Sequence, residues 1–141
     1  MIDKEEIIKN FATNFIQKDK RERCFLELIS PKKRGKFVDR INHKWENVFD
    51  MRLLTKVGKE QDYSDDIKRL LKFKDDELCY VISNYAQYDD KLLPFGEVFE
   101  EIYARGFATL LINAPADTLF LDTEQEQGHT PRFIGKRKQG E

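Results

Sequence analysis

Phe107-Ala108-Thr109-Leu110-Leu111-Ile112, then Asn113-Ala114-Pro115-Ala116-Asp117, then Thr118-Leu119-Phe120-Leu121-Asp122, is the stretch whose reading decides the fold. Each apolar run is too short for an independent helix and is bounded by turn residues, so both read as strands. The short Asn/Pro/Asp connection favours pairing them as an antiparallel hairpin. Working outward, Leu78-Cys79-Tyr80-Val81-Ile82-Ser83 has the same character between Asp-rich segments and predicts another strand. Between these strands, Pro94 and Gly96 precede a helix carrying Val98, Phe99, Ile102 and Tyr103, closed by Gly106 at the C′ position. Arg132-Phe133-Ile134 would add an edge strand ahead of a basic tail, 136–141, expected to fray.

The first half has a different period. Ile7, Ile8, Phe11, Phe15 and Ile16 recur at helical spacing behind Asp3 and Glu6, a capping-box pair with Ile2 and Ile7 in the staple positions. Asp19 and Glu22 repeat the cap signature ahead of a second helix with Cys24, Phe25, Leu28 and Ile29 inward. Ser30-Pro31 restarts the chain into a third helix running to about Trp45, with Phe37, Val38, Ile41 and Trp45 as its inner stripe. Residues Val48 to Val57 fit either a helix end or a short strand. Asp62 to Asp66 would cap a fourth helix bearing Ile67, Leu70 and Leu71. Helices first and strands later predict an α+β fold: a helical N-terminal half packed on a small, mainly antiparallel sheet of three to four strands. No repeat or linker divides the 141 residues, so one domain, 1–141, is expected.

Composition narrows the function classes. A hydrophobic fraction of 40% supports a core, and 25 basic against 26 acidic residues leave a formal net charge of -1. Disorder usually couples low hydrophobicity with large net charge, and global attraction to nucleic acid or membrane needs a charge excess this chain lacks. The acidic start, Met-Ile-Asp-Lys-Glu-Glu, lacks an apolar signal region, and no apolar run approaches the roughly 20 residues that span a bilayer. Cys24 and Cys79 sit in apolar patterns and read as buried free thiols, which suits the cytoplasm.

The clearest local asymmetry is Pro31-Lys-Lys-Arg-Gly-Lys-Phe-Val-Asp-Arg-Ile-Asn-His-Lys44. On a helix, Lys33, Lys36, Arg40, His43 and Lys44 gather on one side, away from Phe37, Val38, Ile41 and Trp45. Such a stripe suits phosphates, other anions or an acidic partner surface, but it equally suits a solvated helix face. Arg34 falls on the apolar side, where a guanidinium must find a carboxylate, a backbone carbonyl or an anion; Asp39 and Asp50 are the candidate carboxylates. Gly35 inside a helix would cost about 1 kcal/mol, so either the helix starts later or something approaches the backbone closely.

Motifs that would name a reaction fail at particular residues. A phosphate loop needs Gly where Ser30 stands and Ser or Thr where Phe37 stands. Cys24, His43, Cys79 and His129 lack the paired spacing of a zinc site, and no cofactor fingerprint is present. Asp39 and His43 form the one candidate acid–base pair, with a surface ion pair as the plain alternative. Asp65-Asp66, Asp75-Asp76 and Asp89-Asp90 read as caps and turns.

The strand Cys79-Tyr80-Val81-Ile82-Ser83, Leu93-Pro94 ahead of a helix over Glu97 to Arg105, and the closing strands Phe107 to Asp122 give the chain a wider likeness. With Lys33-Arg34-Gly35-Lys36-Phe37-Val38-Asp39-Arg40 and Asp50-Met51-Arg52, it resembles a group of small uncharacterised bacterial cytosolic proteins. The resemblance implies a bacterial cytosolic setting and an α+β fold, and carries no activity, substrate or cofactor.

Three functions follow as expectations. The first is a non-catalytic binding or regulatory protein, for instance an inhibitor or immunity-type protein acting on a protein partner through a charged surface. The second binds RNA, a nucleotide or another phosphorylated ligand through Lys33, Arg34, Lys36, Arg40, His43 and Arg52. The third is a phosphate-ester hydrolase with His43 and Asp39 as acid–base groups and Arg34 or Arg40 stabilising charge. No membrane association, cofactor or metal is expected.

Overall fold

Leu110, Leu111 and Ile112 are all fully buried, although neighbouring residues on a strand point to opposite faces. A sheet whose strands read as unbroken apolar runs has to be covered on both sides. That requirement shapes the molecule. The computed structural model describes residues 3–58, 64–105, 108–123 and 132–137, the side chains of 104 and 105 excepted.

Among the described residues the helices are α1 (Lys4–Phe15), α2 (Arg21–Ile29), α3 (Arg34–His43), α4 (Ser64–Leu71) and α5 (Phe95–Arg105). The strands are β1 (Leu54–Lys56), β2 (Leu78–Ser83), β3 (Lys91–Pro94), β4 (Thr109–Asn113), β5 (Thr118–Asp122) and β6 (Arg132–Lys136). The strands form one sheet in the order β1-β6-β5-β4-β2-β3, every neighbouring pair antiparallel. The fold is α+β as expected. Its sheet has six strands among the described residues rather than three to four, and its helices are not confined to the N-terminal half.

The two extra strands have identifiable causes. β1 is only three residues long and sits in the segment that the sequence left ambiguous. β3 ends in Pro94, a residue that normally argues against a strand. Phe95 N–H donates to the Glu77 carbonyl at 2.8 Å, so antiparallel alternation makes Leu93 and Lys91 the residues bonded inward to β2. Pro94 therefore turns its missing N–H to the outer edge, where no ladder bond is lost. β6 is not an edge strand either: it lies between β1 and β5, and its Lys136 pairs with Thr118 instead of fraying. The remainder of the predicted tail, 138–141, lies outside the described residues, as do Gly106 and Asp62.

One face of the sheet presents Tyr80, Ile82, Leu110, Ile112, Leu119 and Leu121 to α1, α2 and α3. There Phe11 meets Phe15, Phe37 and Phe49 with ring centroids 6.0–6.2 Å apart. The other face presents Cys79, Val81, Leu111, Phe120 and Ile134 to α4 and α5. Phe99 is its hub, against Phe95, Tyr103 and Phe120. Neither cysteine is in a disulfide, and burial pushes both thiols well above their usual range.

Local signals were less reliable than the apolar pattern. Asp3 does cap α1, accepting from the Glu5 N–H at 3.0 Å. Asp19 caps nothing: it lies in a 3₁₀ turn, and Lys20 precedes α2 without a side-chain cap. Pro31 is in a turn, and α3 begins at Arg34 and ends at His43. No helix among the described residues is long and apolar enough to cross a membrane.

Candidate functional site

Six residues were expected to form a site, and the fold separates them. Arg34 is buried in α3 and is spent on structure. Its Nε donates to Asp89 Oδ2 at 2.7 Å, Nη1 to the Leu28 carbonyl at 2.8 Å and Nη2 to the Val81 carbonyl at 3.2 Å. Asp90 Oδ1 lies 3.8 Å from Nη1, and the Tyr80 ring centroid is 5.4 Å from the guanidinium carbon. The partners are thus Asp89 and Asp90, not Asp39 or Asp50. The acidic pair that read as a turn does make one, with Asp90 at a positive φ of 62°, but it also serves a buried cation.

The turn is tied from every side. Tyr80 Oη donates to Asp90 Oδ1 at 2.6 Å, the Ser83 N–H to Asp89 Oδ1 at 2.9 Å, and Lys4 Nζ to the Asp90 carbonyl at 3.0 Å. Burial, then the hydrogen bond to Asp90, pushes the Tyr80 hydroxyl above its usual range. This network joins α1, the end of α2, α3 and the β2–β3 turn.

Arg40 is also committed internally. It bonds Glu27, a carboxylate only 5% exposed on α2, which Arg23 approaches at 3.5 Å from the solvent side. Lys33 and Lys36 are exposed on α3. His43 lies 3.9 Å from Asp39, the i,i+4 surface arrangement, with Asn42 Nδ2 at 3.4 Å from its ring. Nothing nucleophilic converges on it among the bonds described. Helix α3 is therefore half internal clamp and half solvated face.

Arg52 belongs to a different place. A cleft of about 840 Å³ opens at the β1–β6 end of the sheet. Its walls come from the end of α1 (Thr13, Asn14), the start of α2 (Arg21), the 3₁₀ turn Met51–Leu53, β1, and Leu70 of α4. Ile134, Lys136 and Arg137 complete it.

Short bonds hold this rim in place. Asn14 Nδ2 donates to the Ala116 carbonyl at 2.8 Å, and the Arg137 N–H to the Asp117 carbonyl at 2.8 Å, so α1 and the end of β6 both dock on the β4–β5 turn. Arg21 Nε donates to the Ile16 carbonyl at 3.1 Å. Asp50 receives the Arg52 side chain in a fork, Nε to Oδ1 at 2.9 Å and Nη2 to Oδ2 at 2.7 Å. That side-chain bond holds the Asp50 carboxyl below its usual range.

Among the described residues, the cleft gathers Arg21, Arg52, Lys56, Lys136 and Arg137 around one carboxylate, Asp50. Of these cations the sequence flagged only Arg52. The others stand at three separate places, Arg21 in α2, Lys56 in β1, and Lys136 with Arg137 at the end of β6. The one available signal was Lys136-Arg137-Lys138 directly after an apolar strand, which read as a tail. His129 lies outside the described residues. Among the described residues, no group of histidine, cysteine and carboxylate side chains is placed to hold a metal ion. Comparison of the chain with protein-family models, with curated proteins and with solved structures finds no match.

Proposed function

We propose that this chain is a non-catalytic binding protein whose working surface is the cleft at the β1–β6 end, taking an anionic ligand or an acidic partner surface. The observation that carries this is the charge of the walls. Arg21, Arg52, Lys56, Lys136 and Arg137 line a concave space in which Asp50 is the one carboxylate among the described residues, in a chain of net charge -1. Concavity with one sign of charge focuses potential that a neutral background does not. Asp50 also favours binding over acid–base chemistry, since a carboxylate held ionised by Arg52 is a poor proton acceptor.

This keeps the binding class expected from composition and moves its location. The segment 32–44 contributes little, because Arg34 and Arg40 are occupied by Asp89 and Glu27. An inhibitor- or immunity-type protein would use such a cleft against an acidic surface of its target.

Fluorescence anisotropy with labelled poly-L-glutamate tests the proposal. Binding should weaken as salt rises, as expected for partly exposed charges. It should fall at least about tenfold in a Lys56→Glu/Lys136→Glu variant, roughly 1.4 kcal/mol, and stay unchanged in Lys33→Glu/Lys36→Glu. The reverse pattern would return the site to α3 and overturn the proposal.

A further inference from the structure

Among the described residues, β1 is the outermost strand of the sheet on the cleft side. Val57 N–H donates to the Arg132 carbonyl at 2.8 Å, and the register pairs Thr55 with Ile134 and Lys56 with Phe133. Bonds in an antiparallel ladder alternate, so Val57 and Thr55 bond inward and Lys56 turns both its N–H and its C=O outward. The cleft is lined by Thr55, Lys56 and Val57 in succession. Successive side chains on a strand point to opposite faces, so a space touching all three runs along the strand's edge rather than over one face.

Beside that edge lie the aliphatic side chains of Leu53, Val57, Leu70 and Ile134. Leu70 is 38% exposed, one of four exposed large apolar side chains among the described residues. The cations stand around this apolar strip. A backbone donor and acceptor, aliphatic contacts and a positive rim are together what strand addition uses: main-chain bonds give affinity, and side-chain pockets give selectivity.

We propose that the cleft accepts an extended acidic peptide segment of a protein partner as an added strand on β1. The proposal rests on the reading of the cleft given above and names its ligand class. A nucleic acid strand is the weaker fit. Bases bind such channels by stacking on flat rings, whereas the described walls offer aliphatic groups. A second copy of this chain is also disfavoured, because pairing β1 with β1 would bring Lys56 and the surrounding cations of both copies together.

The test uses the full chain and a labelled peptide of alternating glutamate and valine. Three comparators are needed: the same peptide N-methylated at alternate backbone nitrogens, oligodeoxythymidylate, and poly-L-glutamate. Two variants separate charge from backbone, Lys56→Gln keeping the N–H and Lys56→Pro removing it. Proline is tolerated where an edge N–H points outward, and circular dichroism confirms folding. The plain peptide should bind, N-methylation should weaken it by about tenfold or more, and Lys56→Pro should bind more weakly than Lys56→Gln. Bound peptide should also slow exchange of the Lys56 amide.

If both peptides bind equally and the Lys56 amide stays unprotected, strand addition is overturned while the anionic cleft stands. The same holds if poly-L-glutamate binds through the cleft and the alternating peptide does not. Tighter binding of oligodeoxythymidylate than of peptide at equal salt overturns it in favour of nucleic acid. If no polyanion responds to charge reversal in the cleft, the proposed function falls with it.

Discussion

Arg34 Nε and Asp89 Oδ2 lie 2.7 Å apart across 55 residues of sequence, and both are shielded from water, with side-chain exposures of 8% and 22%. The guanidinium also supplies the Leu28 and Val81 carbonyls. One side chain thus fixes the end of α2, strand β2 and the turn leading to β3. Removing one partner of such a pair leaves an uncompensated buried charge, which typically costs about 3–5 kcal/mol. Arg34→Ala should lose stability on that scale in urea titration. Arg34→Lys should recover only part of it, because an ammonium cannot reproduce the fork geometry. A change within about 0.5 kcal/mol, the scale of an ordinary surface site, would show that the network is not load-carrying.

Arg40 and Lys36 share a helix and a charge but not a fate. Arg40 neutralises buried Glu27, and Lys36 faces solvent. Arg40→Glu should destabilise by about 3 kcal/mol or more through two facing carboxylates. Lys36→Glu should stay within about 0.5 kcal/mol. Parallel thermal melts decide the matter.

Two glycines predict opposite signs. A Cβ on Gly35, in the first turn of α3, would meet nothing within 4 Å, so Gly35→Ala should stabilise by about 0.5–1 kcal/mol. Gly135 lies mid-strand in β6, where a Cβ would sit 2.8 Å from Leu119 Cγ and from Leu54 Cδ2. Gly135→Ala should therefore destabilise, by roughly 1–3 kcal/mol as in other overpacked cores.

The protein should lose stability at alkaline pH. Burial raises Cys24, Cys79 and Tyr80 in the folded state. The unfolded chain therefore ionises first, at about 8.5 for the thiols and about 10 for the phenol. Between the unfolded and folded values the native state holds more protons, so stability falls as pH rises. Each group contributes up to about 1.4 kcal/mol per pH unit, and nothing from these groups is lost at neutral pH. A Cys24→Ala/Cys79→Ala variant, whatever its stability at pH 7, should show a flatter decline between about pH 8.5 and 10. An identical slope would sink the assignment.

The fold was legible where residues were numerous and apolar. Phe11, Phe15, Phe37 and Ile41 announced the helical layer, and Leu110–Ile112 with Leu119–Leu121 announced the central hairpin. What the pattern also implied was cover on both faces, and α4 and α5 supply it on the side away from α1, α2 and α3. β1 was illegible because three residues carry too little periodicity, and β3 because Pro94 argues against a strand until its outward orientation is known.

The site was less legible for a related reason. A run of basic residues at 32–44 is conspicuous in sequence, yet α3 must turn part of it inward, and Arg34 and Arg40 become supports. The cleft instead draws scattered cations from positions 21, 52 and 56 and the pair 136–137, which the tertiary fold, including the antiparallel pairing of β1 with β6, brings to one rim. Arg34 shows what could be inferred and what could not. Its need for carbonyls and a carboxylate followed from its apolar neighbours, while the identity of Asp89 required the β2–β3 turn.

The two rims of the sheet are unequal. On β3, the proline at the end of the strand faces outward without a donor and Lys91 adds charge, which are common ways of keeping an edge from recruiting another strand. On β1, alternation turns the N–H and C=O of Lys56 outward, and no strand among the described residues pairs with them. By the same alternation Leu92 turns its N–H and C=O outward on β3, so each rim offers one bonding residue and the difference between them is Pro94, which shortens the usable edge of β3. If the cleft takes a strand on β1, that shortened edge and the cations crowding β1 should disfavour pairing between copies of the chain, and size-exclusion profiles of a complex should show a discrete species rather than a ladder.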